Sequence, residues 1–175
     1  REDSQPRFKP LSIRRAVAYA AGSSRSVFPF TLKISTAHIR LCYHKCLVDL
    51  HFSTKGETFS EKPGHLNFTR REPYGVVAKI NPFNHPLRFC AEKSAAALAA
   101  GNTVVIKASE QAPLSSLRFA EICHEVLPPG VVNVLTGDAA CGQAMVRHPD
   151  VRRVGVVGSV STGIAIAKDA AEDLT

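Results

Sequence analysis

No stretch of this 175-residue sequence approaches the ~18 or more consecutive apolar residues that a membrane span requires, which sets membrane-embedded classes aside. The chain opens Arg1-Glu2-Asp3 without the pattern of a secretory leader, so an intracellular protein is expected. Its cysteines, Cys42, Cys46, Cys90, Cys123 and Cys141, are odd in number. Together with the missing leader, that argues against a disulfide framework and for reduced thiols. Acidic residues are absent altogether between Ser4 and Val48. The net charge of +7 is therefore unevenly spread. Residues 1–72 hold 13 Lys+Arg against 6 Asp+Glu, whereas residues 73–175 hold 9 against 9. All of the basic excess lies in the N-terminal part.

An acid-free stretch with scattered arginines and serines has the composition of an organellar transit peptide, or of a basic tail that touches nucleic acid. The plainer reading is a divergent or incorrectly translated stretch that packs poorly, since residues 1–54 sustain a period of neither 2 nor 3.6. We read residues 1–54 as an atypical basic segment with no nucleic-acid partner. The expected location is cytoplasmic, with a mitochondrial one as the alternative. Within the segment, "HIRLCYHKCLVDLH" gathers His38, Cys42, His44, Cys46 and His51, which are residue types that zinc prefers. A structural zinc site pairs two separate knuckles, and this crowded spacing does not, so no metal is expected.

What is present begins near residue 55. With 45% hydrophobic and 21% charged residues, the composition suits a globular core. Short β-branched runs at Gly75 to Ile80, Thr103 to Lys107, Val131 to Leu135 and Val151 to Val157 read as strands. Between and after them, Leu87 to Ala99, Leu114 to Val126, Cys141 to Val146 and Thr162 to Ala171 read as helices. Leu114, Leu117, Ala120 and Ile122 approximate one helical face, and Pro113 suits a first helical position. Strand and helix take turns four times. That rhythm predicts an α/β fold, a parallel sheet with flanking helices of the Rossmann-like kind, over residues 55–175.

In such sheets ligands bind beyond the carboxyl ends of the strands. The first strand ends abruptly in "NPFNHP", residues 81–86. Pro82 and Pro86 hold the residues before them in extended geometry, so the loop is stiff. A stiff loop can fix the Asn84 amide as an uncharged donor toward a developing oxyanion. The alternative is that Asn84 simply caps the next helix. Both stay open on the loop alone.

Four blocks, "GHLNFTRREPYGVVAKINPFNHP", "KSAAALAAGNTVVIKASEQAPLSS", "LPPGVVNVLTG" and "HPDVRRVGVVGSVSTG", resemble in order and spacing the N-terminal portion of the aldehyde dehydrogenase superfamily. The likeness covers about Lys55 to Thr175. It implies that Asn84 is the amide of the family's oxyanion hole, with Phe83 in place of the usual tryptophan beside the cofactor. It implies that Lys107 and Glu110 stand near the adenosine ribose, where Ala108 replaces a proline and should loosen the turn. It implies that the turn from Gly158 through Ser159 to Gly163 takes the cofactor's diphosphate, with Gly158 admitting close approach. Val156-Val157 replaces the family's usual Phe-Thr and Val160 its threonine after the serine, and the loss of two hydroxyls should weaken binding. For Lys107 and Glu110 the alternative is a solvated ion pair at a strand end.

The resemblance further implies an NAD cofactor, since Glu110 would repel a 2′-phosphate, with NADP as the alternative. It implies an aldehyde substrate oxidised to a carboxylic acid, and a homo-oligomer when complete. The family's nucleophilic cysteine and general-base glutamate match nothing in this chain, so the catalytic domain is expected to lie outside it and the chain alone to be inactive. Two other readings remain: a non-catalytic nucleotide-binding or partner domain, and a truncated product without function.

Overall fold

The computed structural model describes residues 55–60 and 62–172. The basic segment 1–54, with its His38–His51 cluster, lies outside the described residues. The described chain runs β1 (Thr58–Phe59), β2 (Asn67–Phe68), β3 (Val76–Ile80), α1 (Pro86–Ala99), β4 (Thr103–Ala108), α2 (Leu114–Val126), β5 (Val132–Thr136), α3 (Ala139–Val146), β6 (Val151–Val156) and α4 (Val160–Glu172). β1 and β2 form a small antiparallel ribbon that the sequence reading did not anticipate. The other four strands form one parallel sheet in the order β5-β4-β3-β6. The four predicted strands and four predicted helices are all present.

β4 is buried at every position and β3 nearly so, as expected of central strands covered on both faces. Alternation then sends side chains to two cores. Val76, Ala78, Ile80, Val105 and Leu135 meet Met145 and Val146 of α3 and Ala170 of α4. On the other face Val104, Ile106 and Val132 meet Cys90 and Ala91 of α1 and Phe119 and Cys123 of α2. Truncating Ile106, which is fully buried, to alanine should cost about 2–5 kcal/mol.

Local chemistry sets the element ends. Pro86 takes the first turn of α1, where its missing N–H costs nothing. At the other end Gly101, with φ 80°, lets its own N–H and that of Asn102 return to Leu98 and Ala97 at 3.0 Å each, closing the helix. α2 lies as predicted, but its inner face is rotated from the expected one. Ser116, Phe119, Ala120 and Cys123 are buried, while Leu114 is 79% exposed. Phe119, the bulkiest apolar side chain of the helix, turns inward and draws its own i−3, i+1 and i+4 neighbours with it.

β3 and β6 are in parallel register with one irregularity. Val76 faces Val151 and Val77 faces Arg153, so Arg152 is skipped. Beyond the shift, Lys79 pairs with Gly155 and Ile80 with Val156.

Candidate functional site at the carboxyl ends of the strands

The chain proceeds outward from β3 through β4 to β5, then crosses back to place β6 on the other side of β3. Strand order thus reverses between β3 and β6. At such a switch point doubly wound sheets form a crevice beyond the carboxyl ends of the strands, and here α1 packs on one face of the sheet and α4 on the other.

One lip is the loop after β3. Its root is tied down: the Asn81 N–H donates to the Lys107 carbonyl at 3.1 Å, and the buried Asn81 amide approaches the Cys90 sulfur at 3.7 Å. From across the crevice the Val157 N–H donates to the Ile80 carbonyl at 3.0 Å. Past this anchor the loop emerges. Phe83 is 56% exposed, and Asn84 and His85 are exposed too. The cap position of α1 belongs to His85, with no side-chain cap bond. Asn84 is therefore not the cap of α1, and its amide has no hydrogen-bond partner among the described residues. Sequence reasoning passed over Asn81, the buried amide that fixes the loop's exit. Its signal was its place directly after an apolar run.

The other lip is the turn from Gly158 to Gly163. α4 begins at Val160, earlier than the Thr162 start expected. The Ser159 hydroxyl accepts from the Thr162 N–H at 3.2 Å, and the Gly163 N–H bonds the Ser159 carbonyl at 3.0 Å. Hence the first-turn N–H groups left without partners among the described residues are those of Val160 and Ser161. A methyl group at Gly158 would meet nothing nearer than Thr162 at 3.8 Å, and one at Gly163 would meet nothing within 4 Å. The fold itself does not demand these glycines. They leave open space in front of a helix N-terminus, a geometry that admits a phosphate. The N-terminus of α3 differs, because the Asp138 carboxylate already accepts from Ala140 and Cys141 at 3.0 and 3.3 Å.

Lys107 stands at the end of β4 with its side chain only 10% exposed, and its Nζ contacts Glu110 Oε2 at 3.1 Å. Glu110 is 56% exposed. Its own backbone N–H, and then Lys107, hold the carboxyl below the usual carboxylate range. An ammonium and a carboxylate so joined can serve both hydroxyls of a vicinal diol, one as donor and one as acceptor. Ala108 lies within β4, buried and in register with Thr136, so it ends the strand just before the turn. The turn that follows is closed at Ser109, whose oxygens accept from Gln111 and Ala112. Two strand spacings, about 10 Å, separate the end of β4 from that of β6, a reach suited to a ligand with a ribose at one end and phosphates at the other.

The described thiols are poor nucleophiles. Cys90 and Cys123 are 0% and 3% exposed, and burial pushes both thiols up, Cys123 to about 12. Burial likewise raises Cys141, only partly offset by Lys107. No cluster of His, Cys, Asp and Glu able to hold a metal occurs among the described residues, and no helix there is long and apolar enough to cross a membrane.

Comparison with known proteins identifies the family and the fold. Aldehyde dehydrogenase tropH of Talaromyces stipitatus is 54% identical over 106 residues, which cover 61% of this chain and 21% of that protein. Human 4-trimethylaminobutyraldehyde dehydrogenase is 40% identical over 153 residues, covering 87% of this chain and 30% of its own length. The crystal structure of betaine aldehyde dehydrogenase from Staphylococcus aureus in complex with NAD+ superposes with a TM-score of 0.75 at 27% identity, covering 93% of this chain and 40% of that one. The chain thus spans less than a third of the length of these two curated relatives. The family model for the Aldehyde dehydrogenase family matches residues 35–175, starting ahead of the Lys55 boundary of the motif blocks. This chain belongs to the aldehyde dehydrogenase family.

Proposed function

We propose that this chain supplies the cofactor-binding region of an NAD-dependent aldehyde dehydrogenase that oxidises an aldehyde to a carboxylic acid. The observation that carries the reading is the reversal of strand order between β3 and β6. It sets an unpartnered amide on one lip of a crevice and a glycine-flanked helix N-terminus on the other. In this reading Lys107 and Glu110 orient the adenosine ribose. Gly158, Ser159 and Gly163 form the turn under the diphosphate, to which the Val160 and Ser161 N–H groups donate. Phe83 lies along the cofactor. When bound, NAD supplies the hydride acceptor.

Asn84 is the catalytic residue of this chain. Its amide donates to the oxygen that gains charge when a nucleophile attacks the aldehyde carbon, which lowers the barrier without any proton changing hands. The groups that attack the carbonyl and activate water lie outside this chain, consistent with the raised thiols of Cys90, Cys123 and Cys141. NAD is favoured over NADP because the Glu110 carboxylate would repel a 2′-phosphate, though Lys107 tempers the preference. The complete protein is an oligomer of like subunits in the cytoplasm.

Titration calorimetry of the 175-residue chain with NAD and NADP tests the reading. Saturable NAD binding is expected near or above a millimolar Kd, about 4 kcal/mol, weakened about tenfold by Lys107→Ala. Tighter binding of NADP would reverse the cofactor preference. No binding by a chain with a cooperative melting transition would refute the cofactor region. NADH production from aldehydes by this chain alone, abolished by replacing any of its cysteines, would refute the assignment of the nucleophile elsewhere.

A further inference from the structure

On the face of the sheet that carries α1 and α2, three cations gather beside β6. Lys79, the penultimate residue of β3, extends over Gly155 of β6. A methyl group at Gly155 would come within 2.7 Å of the Lys79 Nζ and 3.1 Å of its Cδ, so the glycine makes the room in which the lysine lies. Arg153 precedes Gly155 on the same face of β6, with its guanidinium 5.3 Å from the centre of the Tyr74 ring and bonded to the Tyr74 hydroxyl at 3.3 Å. Lys93 of α1 is near enough for its charge to be felt at Lys79.

The carboxylates balance only Lys93 of this group. Glu92, on α1, is engaged by Lys93 at 2.9 Å and by Arg88 at 3.1 Å. Lys79 and Arg153 form no ion pair among the described residues. Lys79 is half-buried, and its ammonium is pushed below the ordinary lysine range first by burial, then by Arg153 and Lys93. Like charges held together in a half-dry place repel one another, and a bound anion would relieve them.

The ligand groups of the crevice are elsewhere. Lys107 alternates with Ile106 and so points toward α3 and α4, the face on which α4 leaves the Gly158–Gly163 turn. Lys79, Arg153 and Gly155 lie on the opposite face, beside α1.

We propose that Lys79, Lys93 and Arg153 form a second site, separate from the cofactor crevice, for a small anion bearing a phosphate or carboxylate group. Gly155 provides its floor and Tyr74 holds the guanidinium in place. The arginine fork would take two oxygens of the anion while Lys79 donates from below.

Pyridoxal 5′-phosphate followed by borohydride is a direct probe on the 175-residue chain. The phosphate seeks the anion site and the aldehyde condenses with a nearby amine, releasing water and forming an imine that borohydride reduces to a stable secondary amine. Peptide mapping then reads which lysine is labelled. The expected result is Lys79 labelled ahead of the exposed Lys168, with protection by inorganic phosphate or succinate and none by NAD. Which of the two protects more strongly distinguishes a phosphate from a carboxylate ligand. Arg153→Gln should lower Lys79 labelling about tenfold relative to Lys168, while Arg153→Lys, which keeps the charge, should retain most of it. Pyridoxal without its phosphate should show no preference for Lys79. Labelling that ignores Arg153, that follows exposure alone or that spares Lys79 would overturn the site. Protection by NAD would assign these lysines to the cofactor instead.

Discussion

Asn102 and Asn84 bracket the same α/β unit and behave in opposite ways. Asn102, at the amino end of β4, is 3% exposed; its Oδ1 accepts from the Gly75 N–H at 3.1 Å and its Nδ2 donates to the Ala97 carbonyl at 3.0 Å. Asn84, beyond the carboxyl end of β3, is exposed and without a partner among the described residues. The first amide is consumed in joining α1 to the sheet. The second is held by a stiff loop yet left over. Where the fold uses up a polar group, its loss should appear as stability; where the fold leaves it over, its loss should appear in ligand chemistry.

The sharpest test of that contrast is at Asn84. In the complete enzyme, Asn84→Ala should lower kcat by ~10²- to 10³-fold with NAD affinity and melting temperature nearly unchanged, and Asn84→Asp should be worse. Steady-state kinetics beside a thermal melt would break the comparison if Tm fell and turnover held. Asn102→Ala should do the reverse, costing about 1–3 kcal/mol in urea denaturation because it orphans the Gly75 N–H and removes one of two hydrogen bonds to the Ala97 carbonyl.

The thiols extend the contrast to pH. Cys123 is neutral in the fold up to about 12, while an unfolded thiol ionises near 9.0. Its contribution to stability is therefore whole below pH 9 and is lost as pH rises through the interval to about 12. Urea midpoints measured across that range should fall for the wild type and fall less for Cys123→Ala. The smallest effect is expected at Ser159, whose hydroxyl is shared between the fold and the candidate site. Ser159→Ala should cost about 1 kcal/mol as a lost helix cap, with a further loss of NAD affinity appearing in calorimetry.

Much of this arrangement was legible in the sequence. The β-branched runs are short, their separators are rich in Ala and punctuated by Gly and Pro, and that pattern leaves little besides a parallel sheet. Three kinds of detail escaped. The inner face of α2 depends on where Phe119 finds room between α1 and the sheet, which is a tertiary fact. β1 and β2 are two residues each and exposed throughout, too short for a period to register. The strand order could not be read at all, since β5 and β6 are both short β-branched runs and packing decides which flank of the sheet each joins. For that reason Asn84, Lys107 and the Gly158–Gly163 turn were nameable one by one from their motifs, whereas the crevice between two of them was not.

The skipped Arg152 carries one more consequence. Because β6 admits one extra residue against β3, Val151 and Val154 both reach the core beside Ala78, and Arg153 is turned outward. Were Arg152 paired within the ladder instead of skipped, Arg153 would stand opposite Ala78, on the face of Val105 and Met145, and every later residue would slip by one strand position, about 3.3 Å, to the other face. Parity along this strand is thus held by the irregularity that leaves Arg152 out of the ladder. Deleting Arg152 would close the irregularity and leave Val151 opposite Val76 and Arg153 opposite Val77, so it should be tolerated better than deleting Val154, which would turn every later residue of the strand to the other face.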